Sequence, residues 1–253
     1  MGTVLEWYRE PLFWWFPVAS FVVSIVAFIA FAAPLTWIAW RDPVWARGYR
    51  LQSRAVREQQ LVGASVGWWV VNNLCSGIAT VAAWPLLRST GVHMGSLPAW
   101  WVVVGQLVFF VCLDDLLYYW FHRAMHGRWL YKRVHGWHHR IVTPWAITGH
   151  YMHPVEYVLT GTVALIGPLL VGAHVVTLWI WLAFRQWEAA EGHCGYEFAW
   201  TPTHLFPGND GARHHDFHHA RVRGNYAGFF PIWDRLCGTY AKGYAEVLAT
   251  PAR

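Results

Sequence analysis

Residues 12–40 form an apolar run that contains no charged side chain. This run exceeds the roughly 20 residues that an α-helix needs to cross a bilayer. Two further apolar runs cover residues 61–87 and 98–121, and an apolar hairpin over 155–191 is broken by Gly and Pro. Because lipid offers no hydrogen-bond partners to the backbone, such segments must be helical. The sequence therefore predicts about three spanning helices plus an apolar helical hairpin.

The composition agrees with a membrane protein. Only 13% of the 253 residues are charged, whereas a soluble domain is typically about a quarter charged. No Ser/Pro-rich linker divides the chain, so we predict one all-α integral membrane domain over residues 1–253. Its N-terminal spans lie in 1–97, and residues 98–245 carry the candidate site. The polar, histidine-rich residues 192–253 are expected to form a cap on the cytoplasmic mouth of the bundle.

The formal net charge of +5 does not indicate nucleic-acid binding. The basic residues flank apolar segments, and five arginines lie in residues 41–60. By the positive-inside rule, this Arg-rich segment is expected in the cytoplasm, together with the end of the third span. The N-terminus lacks the basic stretch and cleavage site of a secretory signal peptide, so we expect no cleaved leader.

Histidines cluster in one H-x-x-x-H motif and two H-x-x-H-H motifs. Residues at i, i+3 and i+4 share one face of a helix, so each motif is expected to aim two or three imidazoles at one point. The first two motifs directly follow the third apolar run, where a membrane helix meets water. The members of the three motifs are His122 and His126; His135, His138 and His139; and His215, His218 and His219.

Eight imidazoles exceed the four ligands of a tetrahedral zinc ion. They suit two transition metals with positions left open for substrate or oxygen. Zn, Cu, Fe and Ni all bind imidazole, so ligand type alone leaves the metal open. The four cysteines are scattered without a C-x-x-C pair, which excludes a zinc ribbon and a disulfide scaffold. Two other histidines, His93 and His174, fall in connectors at the far ends of the spans and are not expected to be ligands.

Asp114 and Asp115 lie inside the last turns of the third apolar run. Carboxylates at membrane depth are functional candidates, and we expect at least one to accept a hydrogen bond from a metal-bound imidazole. The alternative is a salt bridge to Arg123 or to another nearby base.

A metal site at the mouth of an apolar bundle suits the oxidation of a lipid. The substrate would enter from the membrane, and electrons would come from a soluble donor. A membrane metal-binding or transport protein is the alternative of another class. It would need polar residues along a route through the bilayer, and the spans offer mainly Asn72 and Asn73.

Six segments together resemble one family. They are HRAMH, YKRVHGWHH, HYMHPVEYVLTGT, GHCGYEF, RHHDFHH and GNYAGFFPIWDRLCGTY. Their order and spacing resemble the fatty acid hydroxylase/sterol desaturase superfamily of membrane di-iron oxygenases, and within it the C-4 methylsterol oxidases. Tyr118 and Gly127 depart from the sterol pattern, since eukaryotic members often have His at these positions.

This resemblance implies two iron ions held by the eight motif histidines, with His193 as a further ligand. It implies supporting roles for Glu156 and Asp216 and either a ligand or a supporting role for Glu197, and leaves His150, His153, His204 and His214 open. Dioxygen would be the co-substrate, and cytochrome b5 or a ferredoxin with an NAD(P)H reductase would supply electrons. No organic cofactor site is expected in the chain itself.

The implied reaction is hydroxylation or oxidation of the C-4 methyl of a sterol, as in sterol biosynthesis. Fatty-acyl hydroxylation, sterol desaturation and carotenoid oxidation stay open as alternatives within the superfamily. The site would face the cytoplasm from a bacterial inner membrane or an endoplasmic reticulum. The sequence does not indicate the oligomeric state.

Overall fold

A computed structural model of the chain describes residues 4–52 and 61–249. Within these ranges the regular elements are helices, accompanied by two isolated β-bridges. A π-helical turn at Trp14–Val18 interrupts the first long helix at Pro17. The helices in chain order are α1 Val4–Trp7, α2 Pro11–Arg41, α3 Val62–Leu87, α4 Trp100–Met125, α5 Arg128–Arg133, α6 Pro154–Leu170, α7 Val175–Gly192, α8 Ala212–Arg221, α9 Ile232–Leu236 and α10 Tyr244–Ala249.

Helices α2, α3 and α4 are long and apolar enough to cross a membrane. In the most apolar 18-residue stretch of each helix, only 17–22% is buried inside the protein. Most of the apolar side chains therefore face outward. Val22, Val26 and Ile29 of α2 are exposed in this way. A soluble protein would bury such a surface, whereas lipid solvates it. The predicted all-α membrane fold with three spans is confirmed, and the chain is an integral membrane protein.

The predicted apolar hairpin corresponds to α6 and α7. Helix α7 makes its most extensive contact with α2, and α6 packs against α3 and α4. The bend between α6 and α7 meets the α3–α4 connector, where Val175 N donates to His93 O at 3.0 Å. His93 and His174 therefore lie at the end of the bundle opposite the C-terminus of α4. This position agrees with the prediction that neither is a metal ligand.

Two asparagines in α3 are buried against protein rather than exposed to lipid. Asn72 donates to the carbonyl oxygens of His150 and Met152 at 3.3 and 3.1 Å, and Asn73 donates to Trp69 O at 2.8 Å. These bonds give the amide N–H groups acceptors inside the apolar bundle. Asn72 thereby ties the spanning bundle to the segment that follows the second histidine motif.

The residues after α7 fold over the C-terminal end of α4, as the predicted cap. Asp115 Oδ1 accepts hydrogen bonds from the backbone N–H groups of Phe229 and Phe230, at 2.7 and 3.2 Å. One turn later, the Tyr119 hydroxyl lies 2.9 Å from Thr239 Oγ1. These contacts hold the cap on the bundle. Its cytoplasmic orientation stays a prediction, and residues 53–60 of the Arg-rich segment lie outside the described residues.

Candidate metal centre

Nine histidines converge at the junction between the bundle and the cap. They form two groups, and within each group the candidate ligand atoms all lie within 4.8 Å of one another. They come from the end of α4, the turn after α5, the residue after α7, and α8. Group one contains His122, His126, His135, His139 and His218. Group two contains His138, His193, His215 and His219. The eight motif histidines and His193 are therefore the nine residues that the structure brings together.

Each H-x-x-H-H motif is divided between the two groups, contrary to the expectation that one motif aims at one point. In α8, His215 and His219 belong to group two, whereas His218 belongs to group one. Positions i and i+4 lie nearly above one another on a helix, while adjacent residues diverge by about 100°. The two groups sit on either side of this helical face, so neighbouring histidines serve different groups.

The other H-x-x-H-H motif is divided in the same way. His135 and His139 join group one, and His138 joins group two. These residues form a 3₁₀ helix over His135–Arg140 rather than the α-helix that the spacing suggested. Each motif thus contributes two residues to one group and one to the other. The motif that begins at His135 gives its pair to group one, and the motif that begins at His215 gives its pair to group two.

Four imidazoles of group one form a closed ring of Nε2 atoms. The His126–His135, His135–His139, His139–His218 and His218–His126 separations are 3.0, 3.0, 3.1 and 3.2 Å. Adjacent nitrogens around an ion with bonds of about 2.1 Å lie roughly 3 Å apart. His122 adds a fifth imidazole, whose buried Nε2 has no hydrogen-bond partner in the described part of the chain.

Group two has the same spacing. The Nε2 atom of His193 lies 3.2 Å from that of His138 and 2.9 Å from that of His215, and His219 Nε2 lies 3.2 Å from His215 Nε2. His193 reaches this position because it is the residue at which α7 ends. The end of the apolar hairpin thereby completes a group whose other members come from the cap and the 3₁₀ turn.

The opposite nitrogens of several of these rings bind fixed oxygen atoms. Since a carbonyl oxygen only accepts, each of these Nδ1 atoms carries the proton and leaves its Nε2 lone pair free. This is the arrangement of metal-binding imidazoles, whose outer N–H is held by a carbonyl or a carboxylate. The carbonyl partners, at 2.7–2.8 Å, are Tyr226 for His122, Ala189 for His193, Gly224 for His218 and Ile141 for His219.

Burial keeps these imidazoles neutral. Desolvation, followed by repulsion from neighbouring imidazoles, lowers the pKa values of His138, His139, His215 and His218 well below the ordinary value. The pKa of His193 is lowered to about 4, again chiefly by desolvation. Metal binding requires unprotonated nitrogen, so the donors are available at neutral pH. The nine imidazoles, grouped as five and four, therefore fit two divalent transition-metal ions.

Among the five carboxylates predicted to support the site, Glu156 contacts one of the nine histidines. Its Oε1 lies 2.5 Å from His135 Nδ1, and both side chains are buried. Asp114 and Asp115 bind elsewhere, contrary to the expectation that one of them bonds a metal-bound imidazole. Asp114 lies 3.3 Å from Arg185, and Asp115 holds the cap backbone.

The other two carboxylates stabilise the cap. Glu197 lies 2.6 Å from His204 Nε2 and accepts from the Arg213 backbone N–H at 2.9 Å, and Asp216 accepts from Gln52 at 2.9 Å. Glu197 lies in a loop, and Gln52, the partner of Asp216 in α8, lies in another; the folded path of such loops has no signature in the sequence. Their positions next to histidines in the chain therefore did not predict their partners.

The four histidines left open by the sequence lie outside both groups. His150 stacks on Phe28 with ring centroids 3.8 Å apart, and His153 accepts from Val155 N at the start of α6. His204 faces Glu197, and His214 lies 3.5 Å from Asp234. Packing and local bonds account for each of them.

A cavity of about 350 Å³ leads from the bundle to group two. Its wall includes Phe21 of α2, Thr80 of α3 and Leu165 of α6, and it reaches His193 and His215. Its lining is mostly apolar, as in binding sites for apolar ligands. A membrane-dissolved molecule in this cavity would meet the histidines without leaving the bundle.

Comparison with known proteins agrees with this architecture. A family model described as "Fatty acid hydroxylase" matches residues 107–239, which is more than half of the chain and includes all nine histidines. A protein named "Methylsterol monooxygenase 2-1" from Arabidopsis thaliana is 32% identical over 249 residues, covering 92% of this chain and 90% of its own. The chain belongs to the fatty acid hydroxylase family.

Other members of the family match over shorter ranges. "Methylsterol monooxygenase 2-2" from Arabidopsis thaliana is 40% identical over 171 residues, which cover 66% of this chain and 64% of that protein. "Very-long-chain aldehyde decarbonylase GL1-11" from Oryza sativa is 41% identical over 163 residues, covering 63% of this chain and 61% of that protein. These two matches thus span less than two thirds of the relatives' length. No solved structure matches the chain.

Proposed function

We propose that this fatty acid hydroxylase family member is an O2-dependent, non-haem di-iron oxidoreductase that oxidises the C-4 methyl group of a sterol. Two histidine groups, one of which lies at the end of an apolar cavity, are the observation that carries the proposal. Family membership and the names of the relatives support a membrane oxygenase that acts on a lipid.

The chain's own residues bind and position the reactants. Group one and group two would each hold one iron ion, and the carbonyls and Glu156 behind the imidazoles would fix the ring orientations. Iron, when bound, would supply the activation of dioxygen that attack on an unactivated C–H bond requires. The apolar cavity would bind the lipid and exclude water from the reacting carbon. The overall reaction would convert a methyl group, O2, two electrons and two protons into a hydroxymethyl group and water.

The electrons would come from a separate protein. The family match and the spanning helices cover most of the chain, and we assign no flavin, haem or nicotinamide site to it. A cytochrome b5 or a ferredoxin with an NAD(P)H reductase is the proposed donor, and it would bind on the cytoplasmic side. The membrane would be a bacterial inner membrane or an endoplasmic reticulum.

Two other lipid classes remain as candidates. The rice relatives named as aldehyde decarbonylases favour a long-chain aldehyde, and the family name favours a fatty acyl chain. Desaturation of a sterol would use the same metal centre. A metal transporter is disfavoured because both histidine groups lie at one end of the bundle, and group two borders an apolar cavity.

The direct test supplies the purified, iron-loaded protein with a reductant, O2 and a 4-methylsterol in lipid nanodiscs. We expect a 4-hydroxymethyl product, or the aldehyde and carboxylate that follow from further oxidation. Parallel reactions with a fatty acid and a long-chain aldehyde distinguish the substrate classes. Oxidation of either competitor without oxidation of the sterol would contradict the sterol assignment.

A further inference from the structure

A polar patch interrupts the apolar wall of the cavity close to the histidines. It consists of Arg185 and Glu188 of α7 and Tyr118 of α4, all three of which line the cavity. Arg185 forms an ion pair with Glu188 and lies 3.3 Å from Asp114, which is behind the wall. The guanidinium carbon of Arg185 also lies 5.8 Å from the Tyr118 ring centroid. Charged groups inside an apolar bundle are costly, and they commonly mark ligand sites.

The acceptor that the patch presents to the cavity is the Glu188 carboxylate. Two carboxylates share one guanidinium, and Arg185 is only 10% exposed and Asp114 only 3%. Glu188 is 19% exposed and lines the cavity, and the structure gives Arg185 contacts to its Oε2. Its other carboxylate oxygen is thus available to a molecule in the cavity. A ligand carboxylate would place a third carboxyl group here, whereas an alcohol would donate a hydrogen bond to this oxygen.

The distance along the helices restricts where this alcohol lies on the substrate. Helices α4 and α7 both run towards the metal centre, so both place the patch on the bundle side of the histidines. At a rise of 1.5 Å per residue, Tyr118 lies about 6 Å below His122 and Glu188 about 7.5 Å below His193. A hydrogen bond of about 2.8 Å takes up part of this distance, and the remaining roughly 3–5 Å corresponds to about three or four carbon–carbon bonds of about 1.5 Å.

We infer that Glu188, held by Arg185 and Asp114, accepts a hydrogen bond from an alcohol that lies about three bonds from the carbon to be oxidised. The inference rests on the proposed function, because it assumes that oxidation occurs at the histidine groups. In a 3-hydroxy-4-methylsterol the oxygen and the methyl carbon are three bonds apart. Glu188 is then a specificity-determining residue that favours this substrate over a free fatty acid and over an alkane.

The test measures binding and turnover separately. The iron-loaded protein in nanodiscs is titrated with a 4-methylsterol that has a free 3-alcohol and with its 3-methyl ether. We expect the alcohol to bind about ten- to hundredfold more tightly, as a hydrogen bond to a charged acceptor provides. In Glu188→Leu this ratio should fall to about one, and in Glu188→Gln, which keeps a neutral acceptor, to an intermediate value.

Two controls keep the result interpretable. Glu6→Gln removes an exposed carboxylate near the N-terminus and should leave the ratio unchanged. If Glu188→Leu fails to retain iron, Glu188→Gln alone must lower the ratio. Equal binding of alcohol and ether by the unmodified protein, or an unchanged ratio in Glu188→Gln, would overturn the inference even if the sterol is oxidised. Selective alcohol binding without any oxidised product would support the inference and contradict the proposed function instead.

Discussion

His135 and Glu156 form a buried pair in which Nδ1 and Oε1 are 2.5 Å apart. The Nε2 atom of the same imidazole lies 3.0 Å from both His126 Nε2 and His139 Nε2. One ring therefore connects the start of α6 to group one. A carboxylate in this position orients a metal-binding imidazole and increases its basicity.

Glu156→Gln should weaken iron binding in group one. The amide keeps the size of the side chain but removes the charge that strengthens the His135 bond. We expect a loss of about ten- to hundredfold in metal affinity, measured by competition with a chelator of known affinity. The exposed Glu6→Gln serves as the matched control. Unchanged affinity in Glu156→Gln would show that the pair has no role in metal binding.

Double substitutions test the division of the histidines. Replacing His139 and His218 by Ala removes two members of group one, and replacing His138 and His219 removes two of group two. Each pair should lower the iron content from about two ions per chain to about one. A pair across the groups, such as His218 and His219, should lower it further. Metal analysis by mass spectrometry gives the count.

The control for these variants is His93→Ala, because His93 lies at the opposite end of the bundle and should leave two irons bound. If all double variants lost the same amount of iron, regardless of group, the assignment of two separate ions would be wrong.

Gly149 is tightly packed against a candidate ligand. A Cβ atom at this position would lie 2.8 Å from Cγ and Nδ1 of His193, a distance that forces one of them to move. Gly149→Ala should therefore displace His193 and reduce both activity and iron content. Gly105→Ala is the matched control, since its Cβ would meet nothing within 4 Å. Full activity in Gly149→Ala would contradict the role of His193.

Asp115 should stabilise the cap rather than orient a metal-bound imidazole. Asp115→Ala leaves the N–H groups of Phe229 and Phe230 without their acceptor, at a cost of about 1–3 kcal/mol for each buried group. Hydrogen exchange around these two residues should rise, and the thermal midpoint should fall. Asp115→Asn keeps an acceptor oxygen and should lose less. An unchanged exchange rate in Asp115→Ala would contradict this contact.

The sequence predicted the spans closely because apolar runs and lipid thickness determine them. The third span ends later than the apolar run 98–121 predicted. Helix α4 continues to Met125, so His122 lies on its last turns. Histidine and arginine are compatible with a helix, so the end of the apolar run did not mark its end. The nine histidines were predicted from their motifs and from the family resemblance.

The division of those motifs was not predictable from spacing alone. Spacing indicates that His215, His218 and His219 share a helical face, but it does not show that two targets flank this face. The partners of Asp114 and Asp115 were also missed. Arg185 is far away in the chain, and the backbone N–H groups that bind Asp115 have no sequence signature. In the sequence, Glu188 stands out only as a charged residue near the end of the apolar hairpin, which does not indicate a role in substrate binding.

The most direct test of the central claim is isotope labelling with ¹⁸O2. Membranes containing the iron-loaded protein, its reductant and a 4-methylsterol are exposed to ¹⁸O2, and all lipids are analysed by mass spectrometry. We predict one ¹⁸O atom in a 4-hydroxymethylsterol, and no label with the double variant His138→Ala/His219→Ala. Absence of ¹⁸O from every lipid, with two irons bound to the protein, would contradict the account.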